Sequence, residues 1–113
     1  MLQSILNAAR NSLSGLAAAA RNEGSLQVEL AVSVVLLPLG LWLGDTGIER
    51  ALLVSSVLIV LFAELVNSAL EAAVDRISLE IHPLAKRAKD IGSAAVMLAL
   101  VNAGVVWLLV LFS

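Results

Sequence analysis

Apolar and polar positions along the chain fall into four blocks, each with its own period. Over residues 2–20, Leu2, Ile5, Leu6, Ala9, Leu13, Leu16 and Ala20 recur at helical spacing, while Asn7, Arg10, Asn11 and Ser14 fall on the other side. A face this mixed does not span a bilayer; it predicts an amphipathic helix lying in the membrane interface over about residues 2–22. The second block, LAVSVVLLPLGLWLG at 30–44, is uncharged between Glu29 and Asp45. It falls short of the roughly 20 residues that a span requires, so a helix extended at both ends, over about 26–48, is expected. Pro38 lies inside it, where a membrane helix tolerates a kink if neighbours cover the freed carbonyl. GDTGIER at 44–50 reads as a tight turn.

The third block runs from 51 to about 72 and opens on thirteen uncharged residues, ALLVSSVLIVLFA. A polar stretch follows, DRISLEIHPLAKRAKD at 75–90, in which His82-Pro83 reads as loop. The fourth block, IGSAAVMLALVNAGVVWLLVLF at 91–112, is uncharged throughout. Its Gly92, Ser93, Ala94, Ala95 and Gly104 would admit another helix at close range, and Asn102 would bond between helices. Trp42 and Trp107 fit the aromatic belts at the membrane surfaces. No repeat or internal boundary divides residues 1–113, which read as one domain.

Composition turns these blocks into a class. Of the 113 residues 60% are hydrophobic and 14% charged, against about a quarter charged in ordinary globular chains. Too little polar surface remains to cover a soluble domain, so the expectation is an all-α membrane protein with a surface helix and three transmembrane helices. A net charge of −2 with scattered basic residues gives no footprint for nucleic acid. The chain has no cysteine and one histidine, which excludes disulfides, thiolate metal sites and a multi-histidine site. Its first residues, MLQSILNAARNSLSG, lack the pattern of a cleavable signal peptide. Basic residues set the orientation. Arg10 and Arg21 lie in the N-terminal arm and Arg76, Lys86, Arg87 and Lys89 in the second connection, while Arg50 stands alone in the first. By the positive-inside rule the N-terminus and second connection are cytoplasmic and the C-terminus lies outside.

The chemistry is concentrated in ELVNSALEAAVD at 64–75. Steps of three, four and four residues separate Glu64, Asn67, Glu71 and Asp75. At about 100° per residue their cumulative angles are roughly 0°, 300°, 340° and 20°, one narrow stripe. With a rise of about 1.5 Å per residue, Glu64 sits roughly 16 Å deeper than Asp75. The stripe thus begins among lipid and ends in the aqueous phase. A carboxylate between Phe62, Ala63, Leu65 and Val66 is costly at membrane depth and is functional by default. Glu23, Glu29, Lys89 and Asp90 lie near the same boundary. Clustered carboxylates with a lysine suit a hard cation and a polyphosphate. Glu29 and Asp90 equally fit helix anchoring, and Asp75 beside Arg76 fits a helix-end ion pair. On residues alone, a lipid-modifying enzyme, a small transporter cycling protons on Glu64 and a helix-packing scaffold all stay open.

The motif Glu, two residues, Asn-Ser-Ala, one residue, Glu, three residues, Asp resembles the signature of the prokaryotic diacylglycerol kinases, a family of small membrane lipid kinases that includes undecaprenol kinases. RNEGSLQVE at 21–29 and AKRAKDIGSAAV at 85–96 extend the likeness from about residue 10 to the end. The resemblance implies a homotrimer in the bacterial inner membrane, with composite sites at the cytoplasmic interface. It implies transfer of the γ-phosphate of ATP, with Mg²⁺, to the hydroxyl of diacylglycerol. Carried across, Glu64 is the catalytic base with Asn67 beside it. Glu23 and Glu71 are metal ligands and also nucleotide contacts, as are Lys89 and Asp90. Glu29, Ser68 and Asp75 support the site. HPLAK matches relatives that phosphorylate undecaprenol, whereas DRIS and KDIGSAAV match those acting on diacylglycerol; undecaprenol is therefore the alternative acceptor.

Overall fold

Single residues decide where the helices break. Glu23 is extended (φ −115°, ψ 110°) and separates α1 (Leu2–Asn22) from α2 (Gly24–Leu43). The break is covered on both sides: Asn22 Nδ2 donates to the Ala18 carbonyl, and Gln27 Nε2 reaches back to the Ala20 carbonyl at 2.8 Å. The second bond satisfies a carbonyl that the helix end leaves without a partner. The computed structural model describes residues 1–77 and 82–113 and adds α3 (Gly47–Ile77) and α4 (Pro83–Leu111).

Helices α2, α3 and α4 are each long and apolar enough to cross a membrane, which makes this an all-α membrane protein. α3 lies between the other two, packed against both, and α1 rests more lightly on α2 and α3. The covered face of α3 is Leu53, Ser56, Val57, Val60, Glu64 and Ser68, one stripe at helical spacing. Along that stripe the burial changes from apolar to polar. Leu53, Val57 and Val60 of α3, Leu26 of α2 and Val96 and Ala99 of α4 make up the buried hydrophobic set. Glu64 and Ser68 continue it with groups that need hydrogen bonds. At the other end, Trp107 Nε1 donates to Ser56 Oγ at 3.1 Å, and Ser56 Oγ donates to the Leu53 carbonyl at 2.8 Å. Gly40 admits this junction: a Cβ there would stand 3.1 Å from Leu53 Cβ and 3.6 Å from the Trp107 ring.

Several expectations shift. The turn at 44–50 is shorter than its sequence implies, and α2 stops at Leu43 rather than near 48. Thr46 starts α3, its Oγ1 accepting from the Glu49 N–H at 3.1 Å. Arg50 Nε closes the turn on the Gly44 carbonyl at 3.1 Å. The polar stretch 75–90 is largely helical, because nothing in Asp75–Ile77 breaks a helix and His82-Pro83 begins one. His82 Nδ1 accepts from the Leu84 N–H at 3.0 Å, and Pro83 occupies a first-turn position that needs no N–H. Residues 78–81 of that stretch lie outside the described residues. At 31 residues, α3 is about 46 Å long against a hydrocarbon core of about 30 Å, so its charged end projects beyond the membrane. α2 runs through Pro38 as one helix. Trp42 faces outward as an interface residue would, but Trp107 turns inward to Ser56. Asn102 lies on an exposed face of α4. Of the small residues on α4, Gly92 is buried, whereas Ser93, Ala94, Ala95 and Gly104 are exposed, Ala95 and Gly104 at the edges of grooves shared with α3.

The Gly44 turn yields a stability test. Its φ of −68° suits any residue, so the constraint is space alone. A Cβ would lie 2.6 Å from Arg50 Cγ and 2.8 Å from the Arg50 backbone nitrogen. Gly44→Ala is expected to destabilise the protein by about 1–3 kcal/mol, the usual range for overpacking. Thermal unfolding in detergent measures it, and Arg50→Ala should leave the backbone part of the clash in place.

Candidate active site

The polar stripe of α3 straddles two interfaces. Glu64, 6% exposed, faces α2, where Ser25 Oγ donates to its Oε2 at 3.3 Å. Glu29 of α2 is close enough to interact electrostatically with Glu64. One turn further along α3, Asn67 faces α4. Its Nδ2 donates to Glu71 Oε1 at 3.4 Å, and its Oδ1 is buried without a conventional donor. That oxygen meets Gly92, at the point where any other residue would carry Cβ. A glycine Cα–H is the weak donor available there.

The stripe then emerges from the bundle. Glu71 is half-buried and Asp75 is exposed. Lys89 Nζ pairs with Asp75 Oδ1 at 2.6 Å and also feels the Glu71 charge. Asp90 takes a different partner, Lys86, at 2.7 Å. Ser68 and Glu23 share neither group. They line a groove between α1 and α3 together with Leu16, Asn22, Leu65 and Ala72. The predicted residues therefore form three neighbouring sets: Glu29 with Glu64; Asn67 with Glu71, Asp75 and Lys89; and Glu23 with Ser68. Asp90 points away from all three, held by Lys86.

Two participants escape a reading of the motif alone. Ser25 is one, although Ser25, Glu29 and Ser33 recur every fourth residue and mark a polar stripe on α2 that matches the one on α3. Lys86 is the other; its i,i+4 relation to Asp90 is visible in the sequence.

A family model described as prokaryotic diacylglycerol kinase matches residues 10–111. The chain belongs to the prokaryotic diacylglycerol kinase family. It is 47% identical to a diacylglycerol kinase of Haemophilus influenzae, covering 98% of this chain and 94% of that one. It is 47% identical to a diacylglycerol kinase of Pseudomonas aeruginosa, over 97% and 89% of the two chains, and 44% identical to that of Escherichia coli K12, over 96% and 89%. Family membership makes this chain a kinase, an enzyme that uses ATP. The helices that carry its stripe fall wholly within the matched span.

The seat of Asn67 on Gly92 is testable by itself. Gly92→Ala puts a methyl group into the Asn67 carbonyl oxygen and 3.1 Å from Leu70 Cδ2. It should destabilise the protein by about 1–3 kcal/mol. Adding Asn67→Ala should recover most of that loss in thermal unfolding, since the clash disappears with the amide.

Proposed function

We propose that this protein transfers the γ-phosphate of MgATP to the hydroxyl of diacylglycerol, giving phosphatidic acid. The observation that carries the reading is the graded stripe on α3. A buried carboxylate, Glu64, stands at lipid depth, and Asn67, Glu71 and Asp75 lead from it to the exposed end, where Lys89 waits. A lipid hydroxyl reaches such a stripe from one side and a nucleotide from the other. The names of the relatives favour diacylglycerol over undecaprenol, and a transporter or a scaffold has no use for a lysine and two carboxylates at the exposed rim.

In this reading Glu64 accepts the proton of the acceptor hydroxyl as its oxygen bonds to the γ-phosphorus and ADP departs. Phosphoryl transfer asks chiefly for positioning and charge neutralisation. Asn67 orients the reacting groups, Lys89 meets phosphate, and Asp90 contacts the nucleotide. Binding ATP then exchanges two ion pairs, Lys89–Asp75 and Lys86–Asp90, both at exposed side chains and each worth little to the fold. Glu29, Ser68 and Asp75 support the arrangement.

Among the described residues, no three His, Cys, Asp or Glu side chains form a metal cage. Mg²⁺ prefers one or two carboxylates with phosphate oxygens and waters to an all-protein site. Glu23 and Glu71 are the hard oxygen donors that would hold it, and it would supply charge neutralisation at the phosphates. Since Glu23 opens on the α1 groove and Glu71 lies toward α4, a site shared with a neighbouring chain would join them, and we read the enzyme as a homotrimer. It sits in the bacterial inner membrane with its N-terminus and Lys89 end cytoplasmic and its C-terminus outside.

Phosphate transfer from labelled ATP in lipid–detergent micelles tests this. Diacylglycerol and undecaprenol are offered separately with Mg²⁺. Label on diacylglycerol is expected; label mainly on undecaprenol would change the acceptor, and label on neither would overturn the kinase assignment of the site.

A further inference from the structure

We propose that Ser25 is a positioning residue for Glu64, a role that rests on the reading of Glu64 as the base. Among the described residues, its hydroxyl is the one hydrogen-bond donor to the Glu64 carboxylate, at 3.3 Å, and the two lie 39 positions apart in sequence. The bond crosses from α2 to α3. It therefore ties the carboxylate to a different helix from the one that carries it.

The local structure explains why this serine is free to do so. A serine inside a helix ordinarily bonds back to the carbonyl four residues earlier. Ser12 bonds to Ala8 O in this way at 2.8 Å, and Ser33 to Glu29 O at 2.6 Å. Ser25 is the second residue of α2, just past the break at Glu23. Its fourth preceding residue, Arg21, belongs to α1, so the chain offers no helical carbonyl in that position. The hydroxyl turns to Glu64 instead. The first turn of α2 also presents its unpaired N–H groups and positive dipole end on this side, which favours a carboxylate nearby.

Orientation matters here because the surroundings provide little of it. Glu29 of α2 adds a charge of the same sign within electrostatic range of Glu64. Against α3, the covered residues of α4 are Gly92, Val96 and Ala99, none with a side chain that can hold a carboxylate. Glu23 opens on α3 at the level of Ser68, one turn further along. Without Ser25, Glu64 loses its fixed rotamer and turns away from the acceptor hydroxyl for most of the time. A base held within reach of its proton is worth far more than one that samples several directions.

The test compares Ser25→Thr with Ser25→Val, two side chains of one shape that differ in the hydroxyl, with Ser25→Ala as a smaller control. We expect Thr to keep kcat within about twofold. Val and Ala should lower kcat about tenfold, the scale of a hydrogen bond to a charged group, with KM for MgATP unchanged and thermal unfolding alike in all three. Equal kcat for Thr and Val overturns the proposal, as does a loss carried by KM. Glu64→Gln is measured alongside. If it is inactive while Thr and Val match, Ser25 alone is wrong; if it is fully active, the reading of Glu64 as base falls and the Ser25 role with it.

Discussion

Glu64→Gln is expected to lower kcat by about 10²–10⁴-fold, the usual contribution of a general base, while KM for MgATP changes little. The amide keeps the length and shape of the side chain and retains an oxygen that can accept from Ser25 Oγ, so the α2–α3 contact persists. What disappears is the capacity to take a proton. Stability should move the other way. Glu64 is 6% exposed, and Glu29 of α2 lies within electrostatic range of it. Replacing one of two like charges in a poorly solvated place by a neutral amide relieves repulsion and desolvation. Thermal unfolding in detergent should therefore give a midpoint no lower than that of the parent, and initial rates in lipid–detergent micelles give the loss of activity. A stable, inactive Gln variant separates the chemistry from the fold. A variant that keeps full kcat removes Glu64 from the reaction.

The apolar blocks and the stripe on α3 were both legible in the sequence, for one reason: each is a periodic pattern along a single helix. Length and absence of charge marked the three membrane helices, and steps of three and four aligned Glu64, Asn67, Glu71 and Asp75 without reference to any neighbour. Helix ends were less legible. The polar stretch 75–90 carries a loop signal at His82-Pro83, yet charged residues outside a membrane extend a helix readily, and a His-Pro pair starts one. Partners between helices were the hardest. Trp107 has the composition of a belt residue and becomes a donor to Ser56 because Gly40 leaves space for its ring. Asn67 looks like one more polar residue of the stripe, and its fit against Gly92 depends on how closely α3 and α4 approach. Asp90 stands next to Lys89 in sequence, but one residue turns a helix by about 100°, and the two side chains take different partners.

Glu71→Gln should leave the fold intact and make the enzyme need much more Mg²⁺. Glu71 is half-buried, and among the described residues its hydrogen bond is one it accepts, from Asn67 Nδ2 at 3.4 Å. A glutamine oxygen can accept that bond as well. Lys89 keeps its ion pair with Asp75, which is 2.6 Å long and does not depend on Glu71. Nothing in the packing therefore penalises the substitution, and a change in stability within about 0.5 kcal/mol is expected, as for surface positions away from special contacts. The charge, in contrast, is what a hard cation requires. Perturbing even the outer partners of metal ligands costs about 10–100-fold in affinity, so losing a ligand carboxylate should move the Mg²⁺ concentration for half-maximal rate upward by at least that factor. Initial rates at fixed ATP across a Mg²⁺ series measure the shift. A Glu23→Gln variant should move the same curve in the same direction, because the two residues would act on one ion from separate helices. If both Mg²⁺ curves superpose on that of the parent, neither carboxylate holds the metal, and the donors must be sought among Glu29, Asp75 and Asp90.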